Sequence, residues 1–177
     1  MHALNYAEVR QRQAQADWPK PKRRLTLVLD NINDVQNLGA IYRLSDALGI
    51  QQIVMQQSMV INTKLKRIAR QTHQQVPTQI VTDLTAYLAC CQTEQDSFCV
   101  ALELTNQSQS AFAIALQNQL ASQHKIVLVA GNEQQGIHQS LLDLCETAIH
   151  IPMQGQNSSM NVAQAIGIVA AGLLFNH

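Results

Sequence analysis

Two runs of apolar residues, Leu25-Thr-Leu-Val-Leu29 and Lys125-Ile-Val-Leu-Val-Ala130, constrain this chain most. Each is too short for a core helix and does not alternate with polar residues, as a strand with one wet face would, so each reads as a strand buried on both faces. Ile53-Val-Met55, Thr78-Gln-Ile-Val81, Phe98-Cys-Val-Ala-Leu102 and Ala148-Ile-His-Ile151 are further strand candidates. Helical segments separate or follow them, near Leu38–Leu48, Thr63–Gln71, Leu84–Cys91, Ser110–Leu120, Gln139–Leu144 and Val162–Phe175. Strands alternating with helices predict an α/β fold with a parallel sheet flanked by helices on both faces. Sites in such sheets form at the carboxyl ends of strands.

The length of 177 residues suits one domain of this kind. Ahead of the first strand, Leu4 to Ala16 reads as a helix, broken by Trp18-Pro-Lys-Pro-Lys-Arg-Arg24. Residues 1–24 are therefore expected to be a basic helical appendage on a domain spanning 25–177. No stretch has the roughly 18 apolar residues that span a bilayer, and the N-terminus has no basic segment followed by an apolar one, which predicts a cytoplasmic protein without a membrane anchor. Cys90, Cys91, Cys99 and Cys145 form no C-x-x-C pair, and the six histidines form no H-E-x-x-H, so no metal is expected.

The formal charge is zero but unevenly distributed. Residues 1–70 hold eleven Lys and Arg against five Asp and Glu, a balance of +6, and the remainder carries −6. A polyanion would meet the N-terminal half. Arg23 and Arg24, with Lys64, Lys66, Arg67 and Arg70 on one predicted helix, are the candidate contacts to a nucleic-acid backbone, although such runs are often only solvated.

Three loops after predicted strands combine glycine with polar side chains. In Asn37-Leu-Gly-Ala-Ile-Tyr-Arg43, Arg43 stands about one and a half helical turns beyond Asn37, near enough to the helix start to grip a phosphate. The plain alternative is that Asn37 only caps the helix. Gly131-Asn-Glu133-Gln-Gln-Gly136 lacks the Lys-Ser/Thr of a P-loop and the spacing of G-x-G-x-x-G, which disfavours a nucleoside triphosphate. Ile151-Pro-Met-Gln-Gly-Gln-Asn-Ser-Ser159-Met160-Asn161 pairs an apolar surface with polar groups at a helix start, where unpaired amides favour an anion or where Ser159 or Asn161 serves only as a cap.

In this order, N-x-G-x-I-x-R, G-N-E-x-x-G and I-P-M-x-G-x-x-S-S-M-N resemble the signature motifs of the SpoU (TrmH) family of the SPOUT superfamily, over residues from about Leu25 to Phe175. The resemblance implies a sheet whose C-terminal segment forms a deep trefoil knot, an exception to the rule that chains do not knot. It implies transfer of a methyl group from S-adenosylmethionine to a ribose 2′-hydroxyl of transfer or ribosomal RNA by a homodimer. Leu102, Gly131, Ile151, Ser159 and Met160 would bind the cofactor. Asn37, Arg43, Glu133 and Asn161 would form the reaction centre, and an arginine from the partner chain can also enter it. A guanidinium stays protonated near neutrality, so Arg43 is read as holding the adjacent phosphate and developing negative charge, with proton loss assisted by phosphate or water.

Val35 stands where many relatives have Pro, and Met160 where many have Leu. The chain ends directly after the expected knot helix, so target choice would rest on residues 1–24, the Lys64–Arg70 helix or another protein. Two other readings share the fold: a base-methylating SPOUT enzyme and a catalytically silent RNA-binding module.

Overall fold

The computed structural model describes residues 2–16, 21–56, 63–69, 72–94, 97–156 and 159–175. Seven strands form one sheet: β1 Arg24–Asp30, β2 Gln52–Gln56, β3 Thr78–Val81, β4 Ser97–Leu102, β5 Gln109–Ser110, β6 Lys125–Gly131 and β7 Thr147–His150. Their order is β3-β2-β1-β6-β4-β7-β5, and every pairing is parallel. The helices are α1 Tyr6–Gln15, α2 Val35–Leu48, α3 Thr63–Ile68, α4 Leu84–Gln92, α5 Ile114–Leu120, α6 Gln139–Leu142 and α7 Val162–Phe175.

The two long apolar runs lie side by side at the centre, with Leu25 against Ile126 and Leu29 against Ala130. Successive strand side chains point to opposite faces. Leu25, Leu27 and Leu29 with Ile126 and Leu128 enter one core, where Ile41, Ile166 and Leu173 lie; Val28, Val127 and Val129 enter the other with Leu84, Leu88 and Leu141. That two-sided burial is why neither run alternates. The buried side of α7, Val162, Ala163, Ile166, Val169, Ala170, Leu173 and Leu174, follows helical spacing, and Gly167 admits Leu44 of α2 at a distance where a Cβ would already be crowded.

Strand β5 falls at the start of the segment read as a helix from Ser110, and α5 begins only at Ile114. Two polar residues give no apolar pattern. The strand is defined by pairing Gln109 with Ile149 on β7, continued by the Ala111 N–H donating to the His150 carbonyl at 2.8 Å. Helix α1 has a capping box between Asn5 and Glu8 but no buried residue, so local bonds and not a core hold it.

Candidate active site

At the carboxyl edge of β1 and β6 the chain leaves the sheet through polar loops that bond to one another. Helix α2 begins at Val35, three residues ahead of the expected start, because Asp34 caps it and accepts the Asn37 N–H at 2.9 Å. Asn37 is thus not the cap, and its side chain is available elsewhere. Its amide donates to Glu133 Oε1, and its own Oδ1 accepts from Asn161 Nδ2 at 2.7 Å.

Asn161 caps a helix and also reaches the first motif. Its Oδ1 accepts the Ala163 and Gln164 N–H groups at 3.1 and 3.3 Å, capping α7, while its amide reaches Asn37. The three motifs therefore meet in one relay, Asn161 to Asn37 to Glu133. Arg43 does not join it. At 100° per residue it stands about 120° around α2 from Asn37, exposed and without a hydrogen bond or ion pair among the described residues.

Beside the relay lies a cavity of about 840 Å³, lined by Gly131, Glu133, Ser159, Met160 and Asn161 among others. It shares Leu102, Glu103, Leu104, Ser159, Met160 and Ala165 with a smaller chamber of about 190 Å³ that Ile151 and Met153 close. The five residues expected to bind a cofactor thus line these two chambers. The loop at their edge folds on itself: a Cβ on Gly131 would lie 2.3 Å from the Gly136 carbonyl, and Gly136 has φ +67°. Both positions require glycine. Among the described lining residues of the larger chamber, Glu103 and Glu133 are charged and none is basic, so it favours a cationic ligand over a phosphorylated one.

Two features were not singled out in the sequence. Glu103 directly follows the β4 run, the position where a parallel sheet places site residues, which is the signal that marks it. Asp30, only 3% exposed, ends β1 and accepts both the His138 N–H at 2.7 Å and its ring Nδ1 at 2.8 Å. That pair lines a separate cavity of about 330 Å³ and not the larger chamber; it ties the segment after Gly136 to the end of β1.

The basic candidates scatter. Arg23 donates to the Leu120 and Leu173 carbonyls at 3.2 and 3.1 Å, closing the C-terminal ends of α5 and α7. Its guanidinium is engaged within the fold. Arg24 is exposed at the amino end of β1, six residues and roughly 20 Å from the carboxyl edge. Helix α3 packs on α2, where Gly39 makes room for Ile68, and Arg67 on it is exposed. The side chains of Lys64 and Lys66, and all of Arg70, lie outside the described residues. No group of three or more His, Cys, Asp or Glu among the described residues could hold a metal, and no described helix is long and apolar enough to cross a membrane.

A parallel sheet with a polar relay and a cleft at its carboxyl edge defines an α/β protein with its candidate ligand site at that edge. The comparisons make the class specific. The SpoU rRNA Methylase family description matches residues 24–171, and the chain belongs to that family. The 23S rRNA (guanosine-2′-O-)-methyltransferases RlmB of Ralstonia nicotianae and Escherichia coli K12 are 31% and 30% identical over 81% and 80% of this chain. The chain spans only about half of those relatives, 55% and 56% of their lengths. Among solved structures, the A. aeolicus TrmH/SpoU tRNA modifying enzyme superposes with a TM-score of 0.72 at 26% identity, over 86% of this chain and 76% of that one.

Proposed function

We propose that this protein transfers the methyl group of S-adenosylmethionine to a ribose 2′-hydroxyl of ribosomal or transfer RNA. The observation that carries the reading is the Asn161–Asn37–Glu133 relay beside two adjoining chambers that together are lined by every residue assigned to the cofactor. The residues present fit that group. Leu102, Leu104, Ile151, Met153 and Met160 give the smaller chamber an apolar lining for a base ring, and the uncompensated Glu103 and Glu133 suit a ligand with a net positive charge. The cofactor supplies an electrophilic methyl group on a sulfonium. Glu133, which lines the cavity, is held through Asn37, and Asn161 ties the cofactor loop to the first motif. Arg43 stands outside this relay with five donors free, the geometry of a group that holds an RNA phosphate and the charge developing on the attacking oxygen.

That separation supports a homodimer in which Arg43 completes the partner's site. The outer side of α7 also carries Ile168 and Phe175, exposed at 42% and 38%. The trefoil knot of residues near 151–175, the appendage of residues 1–24 and a cytoplasmic location belong to the same proposal. Exposed Arg67 on α3, with Lys64, Lys66 and Arg70, and Arg24 are the proposed RNA contacts, with α1 as an additional surface.

The test is transfer of a labelled methyl group to 23S rRNA fragments and to transfer RNA, followed by nucleoside analysis. A 2′-O-methylated nucleoside supports the reading, with guanosine, the base named for the relatives, the first product to seek. A base-methylated nucleoside assigns the alternative chemistry. RNA binding without transfer, in a protein shown to bind the cofactor, assigns the silent module.

A further inference from the structure

Glu103 leaves β4 on the wall that the two chambers share, half-buried and directly after Leu102. Both of its oxygens are already engaged by the fold. Oε1 accepts the Leu104 N–H at 3.0 Å, and Oε2 accepts the Ile137 N–H at 3.2 Å. The Gly131–Ile137 loop is shaped around this carboxylate, since a Cβ on Gly136 would lie 2.6 Å from Oε2. Each carboxylate oxygen has two acceptor positions, so one on each remains open after these bonds form. No basic side chain among the described residues pairs with it. Glu103 is therefore a fixed anion with two adjacent acceptor positions, between an apolar chamber and the chamber that holds the relay.

Two adjacent acceptors on a planar anion match two adjacent hydroxyl donors. In S-adenosylmethionine the ribose diol lies between the base and the sulfur, as Glu103 lies between the apolar chamber of Ile151 and Met153 and the end of the cavity marked by Glu133 and Asn161. We infer that Glu103 is a cofactor-binding residue whose carboxylate accepts the 2′- and 3′-hydroxyls of the adenosyl ribose, with the adenine in the smaller chamber. The inference rests on the cofactor reading above and adds to it a residue outside the three motifs. A phosphate at the same place would face like charge, which sets the ligand as an unphosphorylated nucleoside.

The test is calorimetric binding of S-adenosylhomocysteine and its 2′-deoxy and 3′-deoxy derivatives to the wild-type protein and to Glu103→Gln. A hydrogen bond to a charged acceptor contributes enough that each deoxy derivative should bind the wild type roughly tenfold more weakly or worse. Glu103→Gln should weaken the parent ligand by roughly 10- to 100-fold and largely erase the additional deoxy penalty. A residue that only shaped the loop would weaken all three ligands equally and leave the deoxy penalty intact, which overturns the inference. So does equal binding of parent and deoxy derivatives by the wild type, an arm that needs no variant and decides the question even where Glu103→Gln fails to fold. Absence of binding of any adenosyl ligand to the wild type is a separate outcome, which removes the proposed cofactor itself.

Discussion

The two edges of the sheet use similar polar residues to different ends. At the amino edge, Arg23 closes the ends of α5 and α7, and the backbone of Arg24 bonds the His124 carbonyl, so these groups serve the fold. At the carboxyl edge, Asn161, Asn37 and Glu133 bond to each other, Asn161 also caps α7, and Glu133 and Asn161 line a cavity. A charged residue's job follows from what its neighbours leave unsatisfied, and its type alone does not reveal it.

The largest expected effect tests Arg43, which has no hydrogen bond or ion pair among the described residues. Arg43→Ala should lower methyl transfer by on the order of 100-fold or more, as removal of one preorganised charge-stabilising donor does. Cofactor affinity and melting temperature should stay near wild type, because Arg43 has no bond in the described fold. Loss of both transfer and cofactor binding, or of neither, would break the assignment. Mixing Arg43→Ala protomers with protomers carrying Glu133→Ala sharpens it: recovered activity in the mixture shows that Arg43 serves the partner's site, and its absence places Arg43 in its own.

Next comes the loop itself. Gly131→Ala places a methyl group against the Gly136 backbone, which cannot yield as a flexible side chain would. Destabilisation of about 2–4 kcal/mol is expected, with cofactor affinity falling alongside it. Calorimetric melting and binding on the same preparation check this, and a variant that binds as tightly as wild type would show that the loop can open without cost to the site.

Arg23→Ala examines the opposite edge. Two charge-assisted hydrogen bonds to helix-end carbonyls are lost, so stability should fall by about 1.5–3 kcal/mol, a melting shift of roughly 5 °C for a chain of this length. Transfer per folded molecule and RNA affinity should be unchanged. A selective loss of RNA binding would restore Arg23 to the nucleic-acid surface where its sequence neighbourhood first placed it.

The bonds of Arg23 show how legibility divides. The central strands could be read because two-sided burial writes itself as unbroken runs such as Ile126–Ala130, and α7 because its buried residues recur at helical spacing. The motifs placed Asn37, Glu133 and Asn161, which the fold brings together. Arg23 was not legible: it sits in a run with Lys20, Lys22 and Arg24, and its partners are 97 and 150 residues away. Strand β5 was not, because pairing with β7 defines it, and Arg43 was legible in type but not in direction. Glu103 had a positional signal, the first residue past a buried strand, without a motif to draw attention to it.

The smallest effect concerns thiols toward the amino side. Cys145 is pushed up to about 12 from the ordinary 9.0, first by burial and then by the neighbouring Glu146 carboxylate, and burial also raises Cys99 and Cys91. In the unfolded chain these thiols ionise near their ordinary value, while in the fold they remain neutral. Their contribution to stability is therefore complete below about pH 9 and is lost as pH rises from there toward 12. Wild-type melting temperature should decline above pH 9, and Cys145→Ala should decline less steeply between pH 9 and 10.5 although it melts lower at pH 7. Parallel slopes for the two proteins would mean that Cys145 titrates alike in both states. Near neutral pH the same burial keeps these thiols protonated and slow toward alkylating reagents.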